Sequence, residues 1–493
     1  MSVPSRLSPA MQDKDACTLV LDIGKSNAKL VLIDAAGEVI ARAQRANESV
    51  APGESRWQGE ALPYRALGVD ALQAWLLQAI PELPQRERIA RISVTTHGAA
   101  FCALGEDGLL IAPIDYEWDG YGDERAAFEA ESDPFTHTGS PHLPQGLNAG
   151  LQLHWLQRQL PDAWWQIRCW LPYPQYWAWW FSGVAASEVS SLGCHTGLWS
   201  PQRGGFSDWA QRRGIATLFA PVRPAWDVLG PLRPALARSL GLAETVEVHC
   251  GSHDSNACLA RYLCHSPDAT VLSTGTWTIA MAAGAPADML DAGRDQLVNV
   301  AVDGAPVPTA RFMGGREFAA LCAGADPALA TAEALQQVLD EGWLAQPGFA
   351  ASGGPFVGRE GLITRHGEVC TAGPLAVPAP LRPALAALYC AEVSAHLLQQ
   401  IGAPAATAAP VVLEGPMAHD EAFCVALAAL LAPGGVSLAL DPLEGTARGA
   451  WLLARWPQAS RWQGRTAGLP APEAGLIDRI AAHARAACGD AVK

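Results

Sequence analysis

The apolar run from Leu19 ends in Asp22, and Gly24 opens a short polar turn of Lys25, Ser26 and Asn27 before apolar residues resume at Leu30–Ile33. Glycine lets backbone N–H groups approach an anion closely, and Ser, Asn and Lys add donors, so this hairpin turn has the chemistry of a phosphate cradle. A carboxylate beside a phosphate repels it unless a cation lies between them, so Asp22 points to Mg2+ bridged through water. An ordinary hairpin with Asp and Asn as turn formers accounts for the same residues. A second run of this kind, Ala269–Gly284, turns at Ser273, Thr274, Gly275 and Thr276. Two such turns, one in each half, suggest two related domains closing on one phosphate chain, and the pair is more specific than either turn alone.

Other reactive residues fall at strand ends. ERIARISVTTHGAAFCAL reads as a buried strand running into His97–Gly98, the position at which α/β sheets place ligand contacts. VEVHCGSHDSNACLARYL reads as a strand, a Gly251 turn with His253 and Asp254, and a helix. Asp115, Glu117, Trp118, Asp119 and Arg125 crowd one loop, where polar groups beside rings suit a sugar and a solvated acidic loop is the plainer account. VVLEGPMAHDEAFCVALAALL reads as a strand, a Gly415 turn and an amphipathic helix, a geometry suited to a nucleotide. His249, Cys250 and His253 lie close together but lack a fourth ligand and a common zinc spacing, which favours a structural reading. No GxSxG elbow is present, against serine-based acyl transfer.

The elements that must hold these residues are those of an α/β protein. With 493 residues the chain exceeds one hydrophobic core, and two domains are expected, with a boundary near Ala243. The expected division is a loose tail over 1–16, an N-terminal domain over 17–244, a C-terminal domain over 245–460 and an extension over 461–493. GEVIARAQRA continues the first hairpin as a third strand, and DALQAWLLQAI carries apolar residues at helical spacing. The apolar stretch from Pro172 is too short and interrupted to span a bilayer and reads as a buried helix. Nine of the 18 tryptophans lie from Trp155 to Trp209, mostly as packing. SEVSSLGCHTGLWSP reads as a polar loop, and PAWDVLGPLRP as structureless. A formal charge of −15 argues against nucleic acid as a main partner. The 12 scattered cysteines, without a CxxC pair or a secretory leader, read as reduced thiols of a cytoplasmic protein.

Taken in order, these segments resemble the FGGY family of carbohydrate kinases over about Cys17 to Arg455. Asp22, Gly24, Lys25, Ser26 and Asn27 are similar to the family's first phosphate motif, and Thr274, Gly275 and Thr276 to its second. Gly415, with Pro416, His419 and the following helix, resembles the adenosine motif. Gly251, Asp254 and Cys258 resemble the segment bearing the catalytic aspartate. The resemblance implies an α/β, two-domain actin-like or hexokinase-like (ribonuclease H-like) ATPase fold with a central cleft, ATP with Mg2+, and phosphorylation of a sugar hydroxyl. It implies Asp254 as the general base and water-mediated Mg2+ contacts from Asp22 and Asp254. His97, Gly98, Glu117, Trp118, Asp119, His253 and Asp254 become candidates for the sugar. Lys25 replaces a usual small residue, to contact phosphate or to face solvent. The stretches YPQYWAWWFSGVAASEVSSLGCHT and ARFMGGREF look closest to rhamnulose and fuculose kinases. The alternatives are a kinase of xylulose, ribulose or glycerol, or a non-catalytic nucleotide-binding sensor. No nucleic acid or membrane partner is expected, and a homodimer is left open.

Overall fold

Strands form where apolar residues run long enough to be covered on both faces, and a parallel arrangement requires such cover. The computed structural model describes residues 16–350, 353–403, 410–440, 444–456 and 466–489, so the tail read over 1–16 lies outside them except for Ala16. Strands β1 (Cys17–Ile23) and β2 (Asn27–Ile33) form the expected hairpin, and β3 (Val39–Ala46) continues it as a partly exposed strand. Strand β4 (Ile89–Thr96) pairs parallel with β1, and β5 (Val228–Pro231) pairs antiparallel with β6 (Glu247–His249). After a break at Gly251 the chain resumes as β7 (Ser252–His253), and both β6 and β7 pair parallel with β4. The sheet order is β5-β6-β4-β1-β2-β3, with β7 beside β4.

A second seven-stranded sheet repeats this plan. Strands β8 (Thr270–Ser273), β9 (Thr278–Ala282) and β11 (Pro306–Phe312) make an antiparallel meander, with β10 (Gln296–Val300) beyond it. Parallel strands β12 (Val411–Glu414) and β13 (Val436–Ala439) follow β8, and antiparallel β14 (Thr466–Gly468) closes the order. Each sheet therefore has a hairpin whose first strand abuts two parallel strands, matching the repeat suspected from the two hairpin turns.

By contacts the chain forms two units, Met1–Arg261 with Asn299–Ala305 and Gly445–Trp462, and Tyr262–Val298 with Pro306–Glu444 and Gln463–Lys493. The first division falls at Arg261 instead of near Ala243, because β6 and β7 are bound into the first sheet through β4. Helix Gly445–Leu453 belongs to the first unit as well. A Cβ at Gly449 would lie 1.8 Å from the Ala257 carbonyl oxygen, so glycine is what lets this helix cross so closely over the one that begins at Asp254. Residues 466–489 are no appendage: β14 pairs with β13, and helix Ala474–Cys488 buries Ile480 in the core of the second unit. PAWDVLGPLRP, read as structureless, supplies β5, and Val189–Gly193 is a short helix within the expected polar loop. Helix Tyr173–Ser182 is buried as expected.

The break at Gly251 sets the level at which the first sheet ends. Its φ of +79° lies in the left-handed region, and a Cβ there would lie 2.3 Å from the Val94 carbonyl oxygen. The buried Gln175 amide donates to the carbonyls of Cys250 (3.2 Å) and Gly251 (3.0 Å) and holds the break from the other side. Gly251→Ala is expected to cost about 2–4 kcal/mol of stability, read as a lower thermal midpoint, since strain and overlap with backbone coincide. An unchanged midpoint would show that the break tolerates a side chain.

Candidate active site

Three parallel strand ends make the site in the first unit. Thr96 of β4 is level with Ile23 of β1 on one side and His253 of β7 on the other, and Thr95 is level with Asp22 and Ser252. Neighbouring strands are about 4.8 Å apart. The residues that follow, Gly24–Lys25, His97–Gly98 and Asp254, thus emerge side by side at the carboxyl edge, where open α/β sheets bind ligands. The His97 N–H donates to the Ile23 carbonyl (2.8 Å), which extends the alignment one residue past the strand.

Asp254 begins helix Asp254–Leu263. Its Oδ1 accepts from the Ser255 N–H (2.6 Å) and the Ser255 hydroxyl (3.3 Å), and His253 Nε2 lies 3.2 Å from the same oxygen. Burial raises the Asp254 pKa, opposed by His97 and by the Ser255 hydrogen bonds. Burial likewise pushes His253 down to about 4, so its ring is neutral near pH 7. His97 is also lowered by burial, and its Nδ1 lies 2.8 Å from the Gly98 carbonyl oxygen. A carbonyl only accepts, so Nδ1 carries the proton and Nε2 is left as an acceptor. The His97 ring packs against Tyr116 and Tyr173, with centroids at 5.5 and 5.3 Å. Gly98 has a steric reason: a Cβ there would lie 3.0 Å from His253 Nε2.

Opposite this edge, Asp115 is fully buried and is held by Lys25, by the Ser49 hydroxyl and by the Glu117 N–H (3.0 Å). Burial would raise its pKa, but these hydrogen bonds outweigh that and hold it below the usual carboxylate range. Lys25 also lies 3.4 Å from Glu117 and over the Tyr116 ring at 4.8 Å. Of the two roles considered for Lys25, facing solvent is excluded: it joins the first hairpin to the acidic loop. Glu117 is thereby brought to the site, with Arg65 at 3.8 Å. Trp118 packs elsewhere, edge-on to Tyr121, Trp155 and Tyr64, and Asp119 pairs with Arg125 at 2.8 Å. Sequence reasoning missed Ser49, Tyr116, Tyr173 and Asn256 and named Asp115 only as one member of the acidic loop. Asp115 had a readable signal, a carboxylate directly after the apolar LLIAPI run.

The first turn is shaped by Asn47, whose side-chain amide donates to the Gly24 carbonyl (2.7 Å) and whose N–H donates to that of Ser26 (2.8 Å). Ser26 and Asn27 are exposed. In the second unit Thr274 is buried, and its hydroxyl donates to the Glu414 carbonyl (2.6 Å) and accepts from the Met417 N–H (3.2 Å). That hydroxyl braces the Gly415 turn, leaving Gly275 and exposed Thr276 as the accessible part. Gly415 has φ +86°, and a Cβ would overlap the Thr274 carbonyl oxygen at 1.9 Å. Pro416–His419 form a single tight turn before helix Glu421–Leu430, whose first turn is capped by Asp420 accepting from the Phe423 N–H (2.8 Å). The expected direct passage from glycine to helix is therefore interrupted. Pro416 and His419 are exposed.

Among the described residues no three His, Cys, Asp or Glu side chains converge as a metal site. His249 and His253 have other partners, Trp226 O at 2.9 Å and Asn256 at 3.1 Å, in keeping with the structural reading. A donor set of one or two carboxylates fits Mg2+ held mainly by phosphates and water, and half-buried Asp22 at the sheet edge fits such a contact.

Behind Asp254, Glu188 is buried and accepts from the N–H groups and hydroxyls of Ser190 and Ser191, while Ser190 Oγ accepts from the His253 N–H (3.2 Å). Burial pushes Glu188 up to about 7. A raised value means that its contribution to stability is complete below the unfolded pKa, about 4.3, and is lost as pH rises through about 7. In chemical unfolding between pH 4.5 and 8, Glu188→Gln should remove a loss of about 3 kcal/mol relative to wild type; parallel pH curves would refute this. Lys25→Met, which leaves Asp115 buried without its cation, should cost about 3 kcal/mol at neutral pH. Asp115 is depressed, so that cost should shrink as pH falls below roughly 4, and a deficit independent of pH would exclude the ion pair as its cause.

The profile of the N-terminal domain of the FGGY family of carbohydrate kinases matches residues 17–260, and that of the carbohydrate kinase FGGY C-terminal domain matches residues 266–462. A carbohydrate kinase from Novosphingobium aromaticivorans is 35% identical with a TM-score of 0.82, covering 96% of this chain and 98% of its own. A xylulose kinase from Rhodospirillum rubrum, 20% identical over 95% of this chain and 97% of its own, has a TM-score of 0.74 and shares the fold. An L-fuculokinase from Salmonella typhi is 28% identical over 278 residues, 54% of this chain and 57% of the relative, so the match spans little more than half of that protein. With both domain profiles matched in order and the whole fold shared, the chain belongs to the FGGY family of carbohydrate kinases.

Proposed function

We propose that the protein transfers the γ-phosphoryl group of ATP to a hydroxyl of a ketose, with Asp254 as general base. The observation that carries this reading is the alignment of Asp254 and His97 at adjacent ends of parallel strands, with the hydrogen bonds to Asp254 gathered on one carboxylate oxygen. Asp254 accepts the proton of the attacking hydroxyl as its oxygen bonds to the γ-phosphorus and the bond to the β-phosphate oxygen breaks, releasing ADP. His97, neutral and with Nε2 as acceptor, receives a second sugar hydroxyl. Gly24, Ser26 and Asn27 of the first turn, and Gly275 and Thr276 of the second, offer backbone and side-chain donors to the phosphates, and Gly415 with Pro416 and His419 borders the adenosine. Asp22 would hold Mg2+ through water, and the ion, when bound, offsets phosphate charge.

A six-carbon deoxy-ketose, L-fuculose or L-rhamnulose, is the substrate class favoured by the partial similarity to L-fuculokinases. Trp118 lends this no support, because its ring is engaged in the aromatic cluster. A cytoplasmic setting is supported by 12 free cysteines, and among the described residues no helix is long and apolar enough to cross a membrane.

ADP release with Mg·ATP across a panel of L-fuculose, L-rhamnulose, xylulose, ribulose and glycerol tests both levels. Turnover is expected to be fastest with a deoxy-ketose. A preference for a pentulose would overturn the substrate class, and no turnover with any acceptor would overturn the kinase. Asp254→Asn should keep ATP binding and lose ~10²-fold or more in kcat; near-normal turnover would remove Asp254 from the role of base.

A further inference from the structure

We propose that Gln152 is a positioning residue: it ties the turn that carries His97 to the loop that carries Tyr116, and so fixes the spacing of two rings at the acceptor side of the site. That these rings meet a sugar rests on the kinase reading above; the tie does not.

The two N–H groups of the Gln152 amide go to carbonyls of two different segments, Ala99 (2.8 Å) and Gly146 (2.8 Å). A carbonyl only accepts, so the nitrogen end must face them, and the reversed amide would make neither bond. Gln152 is the fourth residue of helix Ala149–Gln159 and is 2% exposed. Helical side chains lean back toward the N-terminus, which brings the amide to Gly146, just ahead of that helix. The Gly146 N–H in turn donates to the Tyr116 carbonyl (2.7 Å). No side chain fits at Gly146, since a Cβ would lie 2.4 Å from the Tyr121 hydroxyl and 3.2 Å from both Gln152 Nε2 and Tyr116 Cα.

Two further observations point to positioning over packing. Ala99 has φ +53°, in the left-handed region, although it is not glycine and is buried. A residue stays in that conformation only where its surroundings impose it, and such strain gathers where geometry matters. Ala99 is two residues past His97, and the Gln152 amide is the side chain that grips its carbonyl. The same nitrogen also governs the facing ring. His97 and Tyr116 pack edge-on at 5.5 Å, and the backbone behind each is held by one of the two Gln152 bonds, directly at Ala99 and through Gly146 for Tyr116. The other neighbour of His97 is held separately: the Tyr173 N–H donates to the Ala100 carbonyl (3.1 Å), and its ring lies 5.3 Å from that of His97. A ring nitrogen that must meet one hydroxyl loses the bond with a small displacement, so a tie behind the turn controls acceptor binding without touching the acceptor.

The test uses the full chain as wild type, as Gln152→Met and as Gln152→Lys. Methionine keeps the length and removes both donors, whereas an ammonium group donates to both carbonyls. Amide hydrogen exchange without ligand should be about tenfold or more faster in Gln152→Met at Gly146 and at His97, whose N–H is bound to Ile23, with the β1–β2 hairpin unchanged. Gln152→Lys should recover most of that protection. With a turned-over ketose, Gln152→Met should raise KM for the ketose about tenfold while KM for ATP stays within twofold, and Gln152→Lys should stay within about threefold of wild type in both. Unchanged exchange at His97 and Gly146, equal rises in the two KM values, a lower thermal midpoint with wild-type kinetics, or a lysine variant no better than the methionine one each overturn the proposal. If wild type phosphorylates no acceptor, the kinase reading falls and the exchange rates alone decide the tie. If Gln152→Met does not fold, Gln152→Lys decides by the same exchange and KM limits.

Discussion

The seating of β4 between β1 and the broken strand β6–β7 is the constraint on which the site depends. Parallel pairing in register makes Ile23, Thr96 and His253 level with one another, and the chemistry lies in the residues just beyond that line. Side chains in a strand alternate faces, so a slip of one residue would turn Asp22 to the other face of the sheet and move the His97 turn off the edge. The register is enforced by burial, since β1 is covered on both faces and β4 is largely buried. The break before β7 is enforced by contact with the Val94 carbonyl, where only a glycine fits.

Charge at this edge is managed by pairing and by burial. Asp115 is ionised because Lys25, Ser49 and a backbone N–H surround it, and the ion pair links the phosphate-type turn to the acidic loop. Asp254 is held by different means. Burial raises its affinity for a proton while neutral donors gather on one oxygen, a combination suited to a base that must accept a proton and later release it. His253 and His97 are kept neutral by the same burial, so each acts as a fixed donor or acceptor near pH 7.

Much of the framework was legible in local pattern. Both hairpins, the strand ending at His97–Gly98, the strand, turn and helix around Asp254, and the buried helix after Pro172 follow from apolar runs punctuated by glycine and polar turns. The boundary near Ala243 was placed too early because PAWDVLGPLRP was read as structureless, when it supplies a strand that pairs with β6, and β6 and β7 both belong to the first sheet. Helix Gly445–Leu453 fell within the expected C-terminal domain, and its place in the first unit depends on which carbonyl its glycine meets, a contact that local pattern does not show.

By itself the sequence determined the elements, their order and which turns carry hydroxyls, glycines and carboxylates, because backbone preference and hydrophobic period act over a few residues. The tertiary structure decided the partners. Lys25 and Asp115 are 90 residues apart, and their pairing resolved a lysine that local pattern had left undecided. Thr274 and Glu414 are 140 residues apart, and their bond turned an apparent phosphate donor into a brace for Gly415. Trp118 went to an aromatic cluster and Asp119 to Arg125, while Glu117 stayed with Lys25, although the three are consecutive. A side chain's type can be read from the sequence, but its occupation is set by whichever distant group the fold brings within hydrogen-bond reach, and burial makes that choice strict.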